Sequence, residues 1–172
     1  MLQLDELRQL ALVDGLTGLA NRNHFEREIT GHLQEQTRYN WRFGLLFIDI
    51  DNFKQVNDVY GHEIGDQVLQ MVGSNLKHIC RPFDVFGRWG GEEFVGLVRN
   101  VETQELVAIG ERLRRLVESS RLQTPAGPIG VTVSVGATLA RTDDTLLSLV
   151  RRADELMYRS KKRGKNCLTC DS

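Results

Sequence analysis

Cysteine and proline are scarce, with three of each in 172 residues. The thiols Cys80, Cys167 and Cys170 make no disulfide framework. That excludes a small disulfide-stapled fold and sets the expectation of a reduced, cytoplasmic location. Cys167-Leu-Thr-Cys170 has the CxxC spacing, but it lies at the very end of the chain without a second pair. Incidental tail thiols are the better reading than a metal site. His24, His32, His62 and His78 show no ligand spacing. Net charge is also missing, with 22 basic against 23 acidic residues. No global field therefore points to DNA or to a membrane surface. No apolar run approaches membrane-spanning length, and no signal-peptide pattern opens the sequence. The expectation is a domain without direct membrane contact, any anchor of the full-length protein lying in a region before it. Internal repeats and low-complexity stretches are absent too.

What is there fits one domain with a proper core. Leu4, Leu7, Leu10 and Ala11 mark residues 1–12 as a helical lead-in, read as the end of a linker from an upstream sensory module. The domain proper is expected over 13–172. The spacing predicts a helix from Asn21 to about Tyr39, a buried strand over Phe43–Ile50, and a helix from Glu63 to Cys80. Phe83, Val85 and Phe86, then Phe94 to Val98, flank a glycine turn as a β-hairpin. A helix over Thr103–Glu118, a Pro125–Pro128 loop and a strand over Ile129–Leu139 follow. Asp143 or Asp144 caps a last helix that runs through Lys162 and ends at Gly164. The result is an α+β fold of order βαββαβ, a mainly antiparallel sheet with helices on one face. Polymerase palms and nucleotide cyclases share this plan, as do inert regulatory domains, so the fold does not settle function.

The residues that carry chemistry sit at the ends of these elements. Arg88-Trp-Gly-Gly-Glu-Glu-Phe94 places Glu92 and Glu93 directly after Gly90 and Gly91. Two acids beside paired glycines suit a hard cation, a phosphate-bearing ligand, or both. Asp49 and Asp51 share one side of the first strand, where they either cap the strand end or, with Glu92 and a backbone carbonyl, bind Mg²⁺. A short turn with Lys54 and exposed N–H groups can cradle phosphate. Asp66, near a helix start, either complements the helix dipole or, buried against a base, accepts N1–H and N2–H of guanine. Lys161, Lys162, Arg163 and Lys165 are either helix C-terminal cations or a phosphate clamp.

Together these segments resemble the GGDEF domain of bacterial diguanylate cyclases, over about residues 13–168. The matching motifs are Asp14-Gly-Leu-Thr-Gly-Leu-Ala-Asn-Arg22, Asp49 to Lys54, Asn57-Asp58, Gly61 to Asp66 and Arg88 to Phe94. Val133-Ser-Val-Gly136, Ala153 to Tyr158 and Lys161 to Asn166 complete the set. The resemblance implies Mg²⁺, or Mn²⁺ in its place, held by Asp49, Glu92 and the carbonyl of Ile50. It implies guanine contacts from Asn57 and Asp66. Lys54, Lys161 and Lys165, with the backbone of Asn52, Phe53 and Lys54, would hold the triphosphate of GTP. Glu93 is the candidate for taking the 3′-hydroxyl proton. Two domains, antiparallel in a homodimer, would join two GTP into cyclic di-GMP and release two pyrophosphates. Arg81-Pro-Phe-Asp84 matches the family's inhibitory product site, with Arg112 as a secondary contact. The departures are Gly-Gly-Glu-Glu-Phe for Gly-Gly-Asp-Glu-Phe, and Lys165 where arginine is common. The alternative is a catalytically silent receptor for GTP or cyclic di-GMP.

Overall fold

The computed structural model describes residues 11–171 together with Leu4 and Leu7. In the lead-in, Leu4, Leu7, Ala11 and Leu12 are helical, and Leu10 lies outside the described residues. Helix α1 (Arg22–Tyr39) begins where the Asn21 side chain accepts the His24 N–H, and ends at Asn40 in the left-handed conformation. Strand β1 (Phe43–Ile50) is followed by α2 (Phe53–Tyr60), α3 (His62–Ile79), β2 (Val85–Gly90), β3 (Glu93–Arg99) and α4 (Thr103–Ser119). A small hairpin, β4 (Leu122–Thr124) with β5 (Gly127–Ile129), leads to β6 (Val133–Leu139), α5 (Leu146–Lys162) and β7 (Leu168–Cys170). The main sheet has the order β2-β3-β1-β6-β7 and is antiparallel except where β7 joins β6. The expected α+β core is present.

Helices cover both faces of the sheet, which corrects the one-face expectation. Leu46, Ile48 and Ile50 of β1 pack with Val72, Leu76, Leu106 and Leu113 of α3 and α4. Phe43, Leu45 and Phe47 pack with Phe25 and Ile29 of α1 and with Leu149, Ala153 and Met157 of α5. β1 is therefore buried at every position, as an unbroken apolar run requires. Each such side chain contributes roughly 1.5–3 kcal/mol of burial. Gly136 lets α5 lie close, since a Cβ there would stand 2.1 Å from the Ala153 carbonyl oxygen.

Several boundaries differ from expectation. Lys54 lies in helix α2 instead of a turn; Asn52, with φ 55°, makes the bend ahead of it. Phe83 precedes β2 and is exposed. Of the expected Pro125–Pro128 loop only Pro125 and Ala126 form a turn, the tip of the β4–β5 hairpin; Gly127 and Pro128 belong to β5. The strand expected from Ile129 begins only at Val133. Just before it Thr132 still meets the end of β1: its carbonyl accepts the Asp51 N–H at 2.9 Å and its hydroxyl donates to the Asp51 carboxylate at 2.7 Å. Thr145, not Asp143 or Asp144, caps α5 through the Ser148 N–H. The tail of the chain, including Cys170, is the parallel edge strand β7, and all three cysteines are free thiols.

Candidate active site

β1 ends against the β2–β3 hairpin, and the register sets Asp49 directly opposite Glu93. The Ile50 N–H donates to the Glu92 carbonyl at 3.3 Å, which fixes Glu92 beside the strand end. The Arg88 guanidinium holds the turn from behind. It donates to the Gly91 carbonyl at 3.1 and 2.9 Å and to Asp14 Oδ1 at 3.3 Å. Acids facing each other across paired strands repel. Burial, with Glu92 and Asp51 nearby, raises Asp49 above the ordinary carboxylate range even though Lys161 opposes the shift. Glu93 is raised as well, by burial and then by Asp49, Asp154 and Glu92. Such crowding is relieved by a cation.

One cation of the chain's own is already there. Lys161 Nζ lies 2.9 Å from Asp49 Oδ1, 3.2 Å from Asp51 Oδ1 and 3.5 Å from the Ile50 carbonyl oxygen. Burial works against its charge, but Asp49 and Asp51 prevail and raise the Lys161 pKa. The donors are all oxygens, and they already draw an ammonium group, so they fit Mg²⁺ or Mn²⁺. Among the described residues, no three His, Cys, Asp or Glu side chains close on one point. An ion held here would have few protein ligands, which suits Mg²⁺. Sequence reasoning missed the centrality of Asp51. It is buried and accepts from Ser134 Oγ at 2.6 Å and the Asn166 N–H at 3.0 Å, besides Thr132 and Lys161. Its sequence signals were the alternation with Asp49 and its place in the Asp49 to Lys54 motif, neither of which gave it a role.

The residues expected to read the base and hold phosphate sit on the elements next to this cluster. Gly65 of α3 backs onto Asn57 of α2, and a Cβ at Gly65 would collide with Asn57 Oδ1. Asp66 follows directly. It is exposed rather than buried, and Gly61, not Asp66, is the α3 cap. Lys54 is exposed on the first turn of α2, while buried Phe53 anchors that helix. Lys165 and Asn166 form a left-handed turn after α5, with φ 64° and 47°. From there Lys165 Nζ donates to Asn52 Oδ1.

The sequence matches the family model described as "Diguanylate cyclase, GGDEF domain" over residues 11–167. The chain belongs to this family. It is 34% identical over 168 residues to diguanylate cyclase A of Treponema denticola, a match covering 95% of this chain and 45% of that protein. The GGDEF domain thus spans less than half the length of that relative. The coiled coil and GGDEF domain of DgcB from Caulobacter crescentus, solved in complex with c-di-GMP, superposes with a TM-score of 0.94. Identity there is 31%, with 98% of this chain and 90% of that chain covered. The active GGEEF domain of a diguanylate cyclase from Vibrio cholerae gives a TM-score of 0.82 at 25% identity, covering 88% of this chain and 97% of that one.

In this GGDEF domain the Arg81-x-x-Asp84 motif is built into the fold. Arg81 Nε lies 2.9 Å from Asp84 Oδ2, and Arg81 also donates to the Arg99 carbonyl at 2.8 Å. Asp84, itself buried, accepts the Arg99 N–H at 3.1 Å. A cavity of about 600 Å³ opens beside the pair, walled by Trp41, Arg42, Phe83 and Arg99 among others. Arg112, exposed on α4, is not part of that wall. Among the described residues no helix is long and apolar enough to cross a membrane.

Proposed function

We propose that residues 13–172 form a diguanylate cyclase unit that binds one GTP and acts as an antiparallel homodimer to make cyclic di-GMP. The observation that carries this reading is the crowding of Asp49, Glu92 and Glu93 at the glycine hairpin. Asp49, Glu92 and the Ile50 carbonyl would hold the divalent ion, Mg²⁺ or Mn²⁺. Such an ion, when bound, supplies charge neutralisation at the phosphates and acidifies a coordinated hydroxyl. Lys54, Lys161, Lys165 and the backbone of Asn52, Phe53 and Lys54 bind the triphosphate. Asn57 and Asp66 receive the guanine edge, whose N1–H and N2–H adenine lacks. In each half-reaction the 3′-oxygen of one GTP bonds to the α-phosphorus of the other. The bond from that phosphorus to the pyrophosphate oxygen breaks, pyrophosphate leaves, and the hydroxyl proton passes to Glu93. Positioning carries most of the rate.

The Vibrio domain, described as active, has a GGEEF motif, which supports Glu92 as a working replacement for aspartate. The complete acid set also favours an enzyme over a silent receptor. The test is incubation with GTP and Mg²⁺ with the product identified by mass. Cyclic di-GMP is the expected product, and Glu92→Ala should cut turnover by at least about 10²-fold through loss of metal stabilisation. No product from the wild type at high protein concentration would favour the receptor reading.

We also propose product feedback inhibition at Arg81 and Asp84, with Arg112 as a secondary contact from α4. The cavity walled by Trp41 and Phe83 supports room for a nucleobase there. Arg81→Ala is expected to keep initial turnover while abolishing inhibition by added cyclic di-GMP. Unchanged inhibition would contradict the assignment. The lead-in over 1–12 would pass the signal of an upstream sensory module to a cytoplasmic domain that contacts neither DNA nor membrane.

A further inference from the structure

Asp51 follows Asp49 by two residues but has different surroundings. It is 3% exposed, and Ser134 Oγ at 2.6 Å, Thr132 Oγ1 at 2.7 Å, Asn166 N at 3.0 Å and Lys161 Nζ at 3.2 Å all point at it. A buried carboxylate with that many donors is a fixed point in the structure. Lys161 hangs between this fixed point and the metal-side groups. Its contacts with Asp49 and the Ile50 carbonyl involve atoms that a divalent ion would claim. Its contact with Asp51 is the one that remains.

The second oxygen of Asp51 acts on the other lysine. Oδ2 accepts the Asn166 N–H, and Asn166 follows Lys165 in the left-handed turn. Asparagine tolerates that conformation, but lysine holds it only when its surroundings impose it. Here Arg114 donates to Asn166 Oδ1 at 2.8 Å and Asn166 Nδ2 donates to Glu118 Oε1 at 2.8 Å, completing the grip from α4. The same turn carries Lys165 to Asn52.

We propose that Asp51 is a positioning residue for the substrate triphosphate. It retains Lys161 at the site when the metal takes Asp49, and it locks the turn that presents Lys165. This rests on the GTP site proposed above, and Asp51 itself touches neither substrate nor ion.

The test is calorimetric titration of the wild type, Asp51→Asn, Lys161→Met and the double variant in Mg²⁺. The titrants are a GTP analogue with an α,β-methylene bridge and, separately, guanosine. Asp51→Asn is expected to weaken the analogue about tenfold, the scale of a charged hydrogen bond, and to leave guanosine binding unchanged. The double variant should lose less than the product of the single losses, because both act through Lys161. Wild-type affinity in Asp51→Asn, or losses that multiply in full, would overturn the inference. If Lys161→Met binds the analogue as tightly as the wild type, the triphosphate site itself is misassigned. Should Asp51→Asn fail to fold, Thr132→Val with Ser134→Ala loosens the same carboxylate. That pair should weaken the analogue several-fold, and unchanged affinity would count against the proposal.

Discussion

Asp49 and Asp51 share Lys161, yet burial raises the first, while hydrogen bonds from Ser134, Thr132 and Asn166 overcome burial and lower the second. Asp144 extends the comparison away from the site. Burial pushes its pKa up, but Arg152 at 2.6 and 2.8 Å, the Arg141 N–H and Ser148 outweigh it and lower it. A carboxylate lowered on folding stabilises above its unfolded pKa, about 4, and loses that contribution as pH falls through the folded value. Asp144→Asn is therefore expected to destabilise the domain by roughly 1–3 kcal/mol at about pH 7. In thermal melts the gap from the wild type should narrow as pH falls through the lowered pKa of Asp144. A gap that persists in acid would contradict the pairing. At this scale the sequence displayed the acids through strand alternation and the glycine turn. Their partners were hidden, because Thr132, Ser134 and Asn166 meet Asp51 only through the fold.

Helix packing on the sheet depends on a few close approaches. At Gly136 a Cβ would stand 2.1 Å from the Ala153 carbonyl oxygen and 2.4 Å from the Met157 nitrogen, both backbone atoms of α5. At Gly44 the obstacle is the Leu106 side chain, at 2.6 Å. Side chains re-orient more readily than a helix backbone moves. Gly136→Ala is expected to cost about 3 kcal/mol or more, and Gly44→Ala about 1–2, by denaturant unfolding. Equal losses would show that α5 can shift freely. Long periodic segments such as α1, α4 and α5 were legible. Short ones were not: α2 is only Phe53–Tyr60, and its Asn57-Asp58 pair resembles turn chemistry. β7 is three residues whose strand character comes from pairing with β6. The apolar run of β1 already implied cover on both faces, and the one-face expectation overlooked it.

The molecule presents the hairpin acids, Asn57 with Asp66, and the lysines Lys161 and Lys165 around one end of the sheet. In the proposed function each domain holds one GTP, whereas cyclic di-GMP needs two. Two domains must then face each other, and activity should depend on their encounter. The decisive measurement is the initial rate of cyclic di-GMP formation per domain across a protein dilution series, with GTP and Mg²⁺ saturating. The rate per domain is expected to rise in proportion to protein concentration and to level off once dimers dominate. A constant rate per domain at dilutions where light scattering finds only monomer would contradict it.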